Sequence, residues 1–237
     1  MSGKPEIIVI NPNTTASMTD RIRAVAADTA GTRLNLTVLN PDHGPASIEG
    51  FYDEAMSMAG LLEVISAYPK ADGFVIACFD DTGLDAARCL TSAPVVGIGE
   101  AAYHMASMIA NKFGVVTTLS RSVPALEHNL MRYGLAARCS GVRASDIPVL
   151  ELEAGNSDAL SRINAEVRQA IDVDKAEAIV LGCAGMSDLQ AHLAQKHQVP
   201  VLEGISCAIR LVESMIALGL ENSKIGGYAW PRTKSSS

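Results

Sequence analysis

The chain has 237 residues, 48% hydrophobic and 19% charged, enough to build one large core or two small α/β lobes. A net charge of -7 without any Lys/Arg run argues against a nucleic-acid partner. No apolar run reaches the eighteen residues of a membrane span, and Met1 to Ile10 reads as a first strand rather than a leader.

Ile7-Ile8-Val9-Ile10 is a short β-branched run, the pattern of a buried strand. It ends in Asn11-Pro12-Asn13-Thr14-Thr15, a turn and helix-start signal, and a helix follows to about Ala30. Leu34 to Leu39 reads as a strand, Pro41 to Ile48 as a loop and Asp53 to Ala67 as a helix. A strand from Phe74 to Ala77 delivers Cys78. A helix over Asp85 to Leu90, a strand over Pro94 to Ile98 and a helix from Ala101 to Lys112 complete the first half.

The pattern then starts again. Gly114 to Val116 is a strand ending at Thr117-Thr118, followed by a helix over Pro124 to Tyr133. Arg138 to Val142 is a strand, Asp146 to Val149 a loop and Asp158 to Ile171 a helix. A strand over Ala178 to Gly182 delivers Cys183. A strand at Pro200 to Leu202 and a helix from Ser206 to Leu218 close the series, and Thr233 to Ser237 reads as a disordered tail. Asn11 to Thr117 is 106 positions, Cys78 to Cys183 is 105, and Pro94 to Pro200 is 106. Three anchors in one register indicate an internal duplication of a four-strand α/β unit. The βαβα order predicts a parallel sheet in each half.

The five cysteines, Cys78, Cys89, Cys139, Cys183 and Cys207, are odd in number and form no CxxC. That argues against a disulfide framework or structural zinc site and makes free thiols in a reducing, cytoplasmic compartment the expectation. No metal and no cofactor is expected. Ligands of open parallel sheets bind at the carboxyl ends of strands, where Cys78 and Cys183 both lie. If the halves face each other, the thiols converge on one site from opposite sides. A helix N-terminus beside each would favour the thiolate. Such a pair can take a proton from one face of a carbon and return one to the other. The amides after each cysteine, at Phe79 and Asp80 and at Ala184 and Gly185, are candidate oxyanion donors. Gly83 and Gly185 allow close backbone approach. A lone strand-end cysteine is more often core packing; the matched pair favours chemistry, while Cys89, Cys139 and Cys207 read as structural. The side chains of Asp80 and Asp81 are expected to turn away and cap the next helix, because a carboxylate beside a thiolate opposes its ionisation. Asn11, Asn13, Thr117 and Thr118 serve equally well as helix caps or ligand contacts, and Arg121 as a surface charge.

Val9-Ile10-Asn11-Pro12-Asn13-Thr14 resembles the opening strand of the Asp/Glu/hydantoin racemase superfamily. The segments Ala46 to Gly50, Val75 to Asp81, Val115 to Arg121 and Ile179 to Met186 are similar to its hydantoin and allantoin racemase branch, and the resemblance runs in order over about residues 5 to 232. It implies an α/β fold of two pseudo-symmetric lobes, each with a four-stranded parallel sheet flanked by helices, and an active site between them. The expected division is residues 1–98 with 207–237 as lobe 1, and 99–206 as lobe 2. The implied reaction is cofactor-independent racemisation of 5-monosubstituted hydantoins, with Cys78 and Cys183 as the two bases and a planar enolate between them. Substrate contacts are implied at Ser47, Ile48, Phe79, Thr117, Thr118 and Arg121, with Asn11 and Asn13 at the same sheet edge. Asp80, Ile147, Ala184 and Gly185 complete the expected set. Thr82 and Ser120 stand where many relatives carry Pro, a change in loop stiffness that bears on specificity.

The small-molecule substrate that the resemblance implies is a hydantoin, with allantoin, itself a hydantoin, open alongside it. Within the superfamily an amino-acid racemase, a maleate isomerase or an arylmalonate decarboxylase competes; the decarboxylase type would keep one thiol. A non-enzymatic binding protein would need no paired cysteines, and a thiol-redox protein would join Cys78 to Cys183. Nucleotide binding lacks a GxGxxG after the first strand. A homo-oligomer is expected, with apolar helices such as Ala101 to Ala110 as subunit contacts.

Overall fold

A computed structural model describes residues 3–154 and 157–233. Of the expected tail, positions 234–237 lie outside the described residues. Among those described, the strands form two four-stranded sheets, each fully parallel. In the first, β1 (Glu6–Ile10), β2 (Asn35–Leu39), β3 (Gly73–Ile76) and β4 (Val95–Gly97) are ordered β2-β1-β3-β4. In the second, β5 (Phe113–Thr117), β6 (Cys139–Ala144), β7 (Ala178–Leu181) and β8 (Val201–Leu202) are ordered β6-β5-β7-β8. Helices cover both faces of a parallel sheet, so its central strands are apolar throughout rather than alternating. Ile7 to Ile10 and Ala178 to Leu181 have no exposed surface at all.

The duplication extends to register. Ile7 pairs with Gly73 in the first sheet, and Phe113 with Ala178 in the second. Ala77 N–H donates to the Ile10 carbonyl at 2.8 Å, and Gly182 N–H to the Val116 carbonyl at the same distance. The residues just before the two cysteines are therefore held by matching bonds.

The helices are α1 (Ala16–Ala30), α2 (Phe51–Ala67), α3 (Leu84–Leu90), α4 (Ile98–Ile109), α5 (Val123–Arg132), α6 (Ser157–Asp172), α7 (Gln190–His197) and α8 (Gly204–Ala217). The sequence reading places all of them except α7, whose single buried residue, Leu193, gives no periodic signal. Two helices cross between the halves. α4 follows a strand of the first sheet yet packs on β7, whereas α8 follows a strand of the second yet packs on α1, β3 and β4. Their shared interface is extensive. Ala101, Ala102, Tyr103 and Ala106 on α4 meet Ile205, Ala208, Ile209 and Val212 on α8 in one buried cluster. The α4 face expected to make subunit contacts is thus consumed inside the chain; exposed Met108 and Ile109 remain at its end. No helix among the described residues is long and apolar enough to cross a membrane.

Candidate active site

The carboxyl ends of β1, β3, β5 and β7 border one cavity. Cys78 and Cys183 both line it, with Asn11, Asn13, Ile48, Phe79, Asp80, Thr117, Thr118 and Ala184 from the sequence-derived set. Each cysteine follows a central strand of its own sheet, so the two sulfurs enter the cavity from different halves. Both are free thiols, as are the other three cysteines. No group of three or more His, Cys, Asp or Glu side chains among the described residues is arranged to hold a metal ion.

The remaining expected contacts fall elsewhere. Ile147 is 2% exposed and packs with Val116, Leu152 and Ile163 in the core of the second half. Arg121 is exposed and lies over Gly50, whose φ of +133° keeps that backbone free of a side chain. Ser47 turns its hydroxyl to the Glu49 carboxylate at 3.2 Å. Gly185 serves Cys183 through its amide rather than lining the cavity wall. Met18, Ala77, Ser122, Val149 and Gly182 line the cavity without having been anticipated. Ala77 and Gly182 carry a readable signal, since each precedes a cysteine at a duplicated position. Val149 does not: a short 3-10 segment over Val149–Ala154 brings it there.

The polar wall is internally bonded. Asn11 Nδ2 donates to Asn13 Oδ1 at 2.9 Å and to Thr19 Oγ1 at 3.0 Å, fixing the turn after β1. At the equivalent place, the last residue of β5, Thr117 Oγ1 donates to the Gly182 carbonyl at 2.8 Å. The loops over the mouth are tied across the halves. Glu49 Oε1 accepts from Val149 N–H at 3.3 Å, joining the Ile48 loop to the Val149 segment.

The aspartates behave differently from expectation and from each other. Asp81, buried with φ 52°, turns away from the cavity. Its carboxylate accepts from Gly99 N–H at 2.9 Å and Glu100 N–H at 2.8 Å, at the N-terminus of α4, and from Tyr133 Oη–H at 2.7 Å. It caps a helix, but one reached through the fold rather than the next in sequence; α3 has Gly83 at its N-cap and no side-chain cap. Asp80, by contrast, lines the cavity. Gly97 and Gly99 leave room for a single carboxylate at the start of α4, and Asp81 fills it: a Cβ on Gly97 would stand 1.9 Å from Asp81 Oδ1.

The electrostatics of the thiols also reverse expectation. Burial is the main cause that raises the Cys78 thiol well above its ordinary value, with the Asp80 carboxyl and Cys183 adding to it. Thr82 Oγ1, at 3.5 Å, and the Asp80 amide donate to the Cys78 sulfur and pull the other way. Burial likewise pushes Cys183 to about 12, against the Gly185 amide, with Asp80 and Glu49 raising it further. The expected helix-terminus effect is weak because α3 begins only at Leu84 and Cys183 is followed by a 3-10 turn, Ala184–Leu189. Each sulfur is instead served by one backbone amide, placed to support a transient thiolate.

The sequence model for the Asp/Glu/hydantoin racemase family matches residues 7–212. A hydantoin racemase from Rhizobium meliloti is 44% identical over 232 residues, covering 97% of this chain and 96% of that protein. A hydantoin racemase from Pseudomonas sp. (strain NS671) is 39% identical over 231 residues, covering 97% and 93%. Among solved structures, an allantoin racemase from Klebsiella pneumoniae superposes with a TM-score of 0.95 at 44% identity, covering 99% of this chain and 96% of that one.

Proposed function

The chain belongs to the Asp/Glu/hydantoin racemase family and is an isomerase, and from that premise we propose that it interconverts the D and L forms of 5-monosubstituted hydantoins by two-base proton transfer between Cys78 and Cys183. One observation carries this reading: the two thiols stand at the ends of equivalent strands of two duplicated sheets and line the same cavity.

In each turnover one cysteine is thiolate and the other thiol. The thiolate takes the proton from C5, whose electrons pass into the adjacent carbonyl to give a planar enolate. The opposite thiol then delivers its proton to the other face of C5. The product leaves with inverted configuration, and the two sulfurs have exchanged protonation states. The protein returns to its starting state when it turns over the opposite enantiomer or exchanges protons with solvent. No redox step or external acceptor is required, so the chemistry needs no cofactor. The enolate shifts charge towards the ring oxygens, and the amide N–H groups of Phe79 and Ala184, on the cavity wall, are the donors available to meet it, those of Asp80 and Gly185 being engaged with the sulfurs. Asn11, Asn13, Thr117 and Thr118 offer hydrogen bonds to the ring's N–H and C=O groups, while Ile48, Phe79 and Val149 supply apolar walls.

Allantoin, a hydantoin with a ureido group at C5, is the second substrate reading. It is supported by the 44% identity to the Klebsiella pneumoniae allantoin racemase, matching the 44% to the Rhizobium meliloti hydantoin racemase. The test is circular dichroism on single enantiomers of allantoin and of alkyl and aryl hydantoins, run in D₂O. Loss of optical signal with deuterium entering C5 is expected for the wild type. Cys78→Ala and Cys183→Ala are each expected to abolish racemisation, and full activity in either refutes the two-base assignment.

A further inference from the structure

Asp80 lines the cavity with both cysteines, and Glu54, in the first turn of α2 and outside the cavity lining, is its carboxyl neighbour. Asp80 Oδ2 and Glu54 Oε1 are buried without a donor from any described residue. The two carboxyl groups nevertheless lie within hydrogen-bonding reach of each other. Two carboxylates cannot make that contact, because each is an acceptor only; one must carry a proton. The backbone fixes both sides. Asn129 Nδ2, from α5, donates to the Asp80 carbonyl at 2.8 Å, and Glu54 N–H donates to the Gly50 carbonyl at 3.1 Å.

We propose that Asp80 and Glu54 share one proton, carried on Asp80 and donated to Glu54, so that the pair's single negative charge is held away from the cavity and the Cys78 thiolate can form. Glu54 and Asp80 are thus positioning residues for Cys78, and the proposal rests on the reading of Cys78 as a catalytic base. The Asp80 amide already donates to the Cys78 sulfur, and its carboxyl group acts on both Cys78 and Cys183, whereas Glu54 acts on Asp80. Where the charge sits on the pair therefore matters to the sulfurs. Burial first, and then the Glu54 carboxyl, hold the proton on Asp80 well above the usual carboxylate range; burial also raises Glu54, but there the contact with Asp80 pulls the other way. The other groups facing this centre are acidic or neutral: Asp81 beside Asp80, the Tyr103 phenol from α4, Glu49 towards Cys183, and the Thr82 hydroxyl on Cys78. Among these groups none is a cation, so keeping negative charge distant is the available way to favour a thiolate.

The test titrates Cys78 directly, by the rate of alkylation with iodoacetamide against pH, followed by mass spectrometry of the Cys78 peptide. In Glu54→Gln the side-chain amide donates to Asp80, which loses its proton and brings the charge to the cavity. The Cys78 titration is expected to move alkaline by about 1 pH unit, a roughly tenfold slower alkylation at fixed pH. Adding Asp80→Asn to Glu54→Gln removes that charge and is expected to cancel the shift, which loss of a merely structural contact would not do. An unshifted Glu54→Gln, or a double variant that keeps the shift, overturns the proposal. Should Glu54→Gln fail to fold, infrared spectra of the wild type against Asp80→Asn at pH 7 decide it. A carboxylic-acid C=O band lost in the variant is expected, and its absence from the wild type overturns the shared proton. Alkylation needs no substrate. A shifted Glu54→Gln in a protein inactive on every hydantoin rejects the substrate reading and keeps the pair. An unshifted one in an active racemase does the reverse.

Discussion

Gly99→Ala places a methyl group outside the cavity and is expected to cripple the enzyme. Gly99 lies in the first turn of α4, where alanine alone would favour the helix by about 1 kcal/mol. The added Cβ, however, would stand 2.4 Å from the Phe79 carbonyl oxygen and 2.7 Å from Asp81 Oδ2, against 3.4 Å or more in an ordinary contact. The Phe79 oxygen must retreat by about 1 Å. It shares one rigid peptide plane with the Asp80 amide that donates to the Cys78 sulfur, so the N–H swings with it. Overpacking of this kind costs about 1–3 kcal/mol, and disturbing the Asp81 hydrogen bonds adds about 1 kcal/mol for each one weakened. A net loss of about 1–3 kcal/mol remains after the helix gain, a fall in Tm of about 3–10 °C for a chain of this size. A displacement of about 1 Å at a reacting group lowers kcat/KM by about 100-fold. Scanning calorimetry and polarimetric racemisation read the two effects. Gly227→Ala is the control, because nothing lies within 4 Å of its added Cβ; its Tm should stay within about 2 °C. A Gly99→Ala protein as stable as the wild type, with unchanged kcat/KM, would refute this reasoning.

The pH dependence follows from the half-buried, desolvated thiols. Both are held above their ordinary range, Cys183 at about 12, so at neutral pH the thiolate is scarce. Raising the pH removes the proton, so kcat/KM should climb by close to tenfold per unit from pH 7 to 9; a plateau beginning below pH 7 would contradict it. Asp81→Asn keeps one oxygen acceptor but turns an NH₂ group towards Gly99 N–H or Glu100 N–H, whichever way the amide lies. One buried donor loses its partner, at about 1–3 kcal/mol, and urea denaturation should show that loss with an unchanged m-value. Ile147→Ala is expected to cost about 2–5 kcal/mol as a core truncation. A stability unchanged within error would mean that this side chain does not hold the second half together.

How much of this was legible beforehand differs from residue to residue. The apolar runs at Ile7 to Ile10 and Ala178 to Leu181 announced buried parallel strands, because both faces of such a strand are covered and no polar alternation is needed. The repeat spacing then placed Cys78 and Cys183 at equivalent strand ends, which chain order and the parallel-sheet rule suffice to do. Arg121 and Ile147 sit on neighbouring segments, yet one side chain covers Gly50 and the other enters the core. A position on a loop gives no direction for its side chain. α7 was missed because one buried leucine makes no period.

For Cys78 and Cys183, then, the order of residues alone determined their identity, their equivalence and their place at the sheet edge, since strand periodicity and a duplicated register are properties of the chain itself. Only the tertiary structure decided what surrounds them. It gave Asp81 the helix terminus of α4, left Asp80 on the cavity and against Glu54, and half-buried both thiols, which raises the cost of ionising them. The physical reason is that charge, burial and hydrogen-bond partnership depend on contacts between segments distant in sequence, and no local pattern records which segment will arrive.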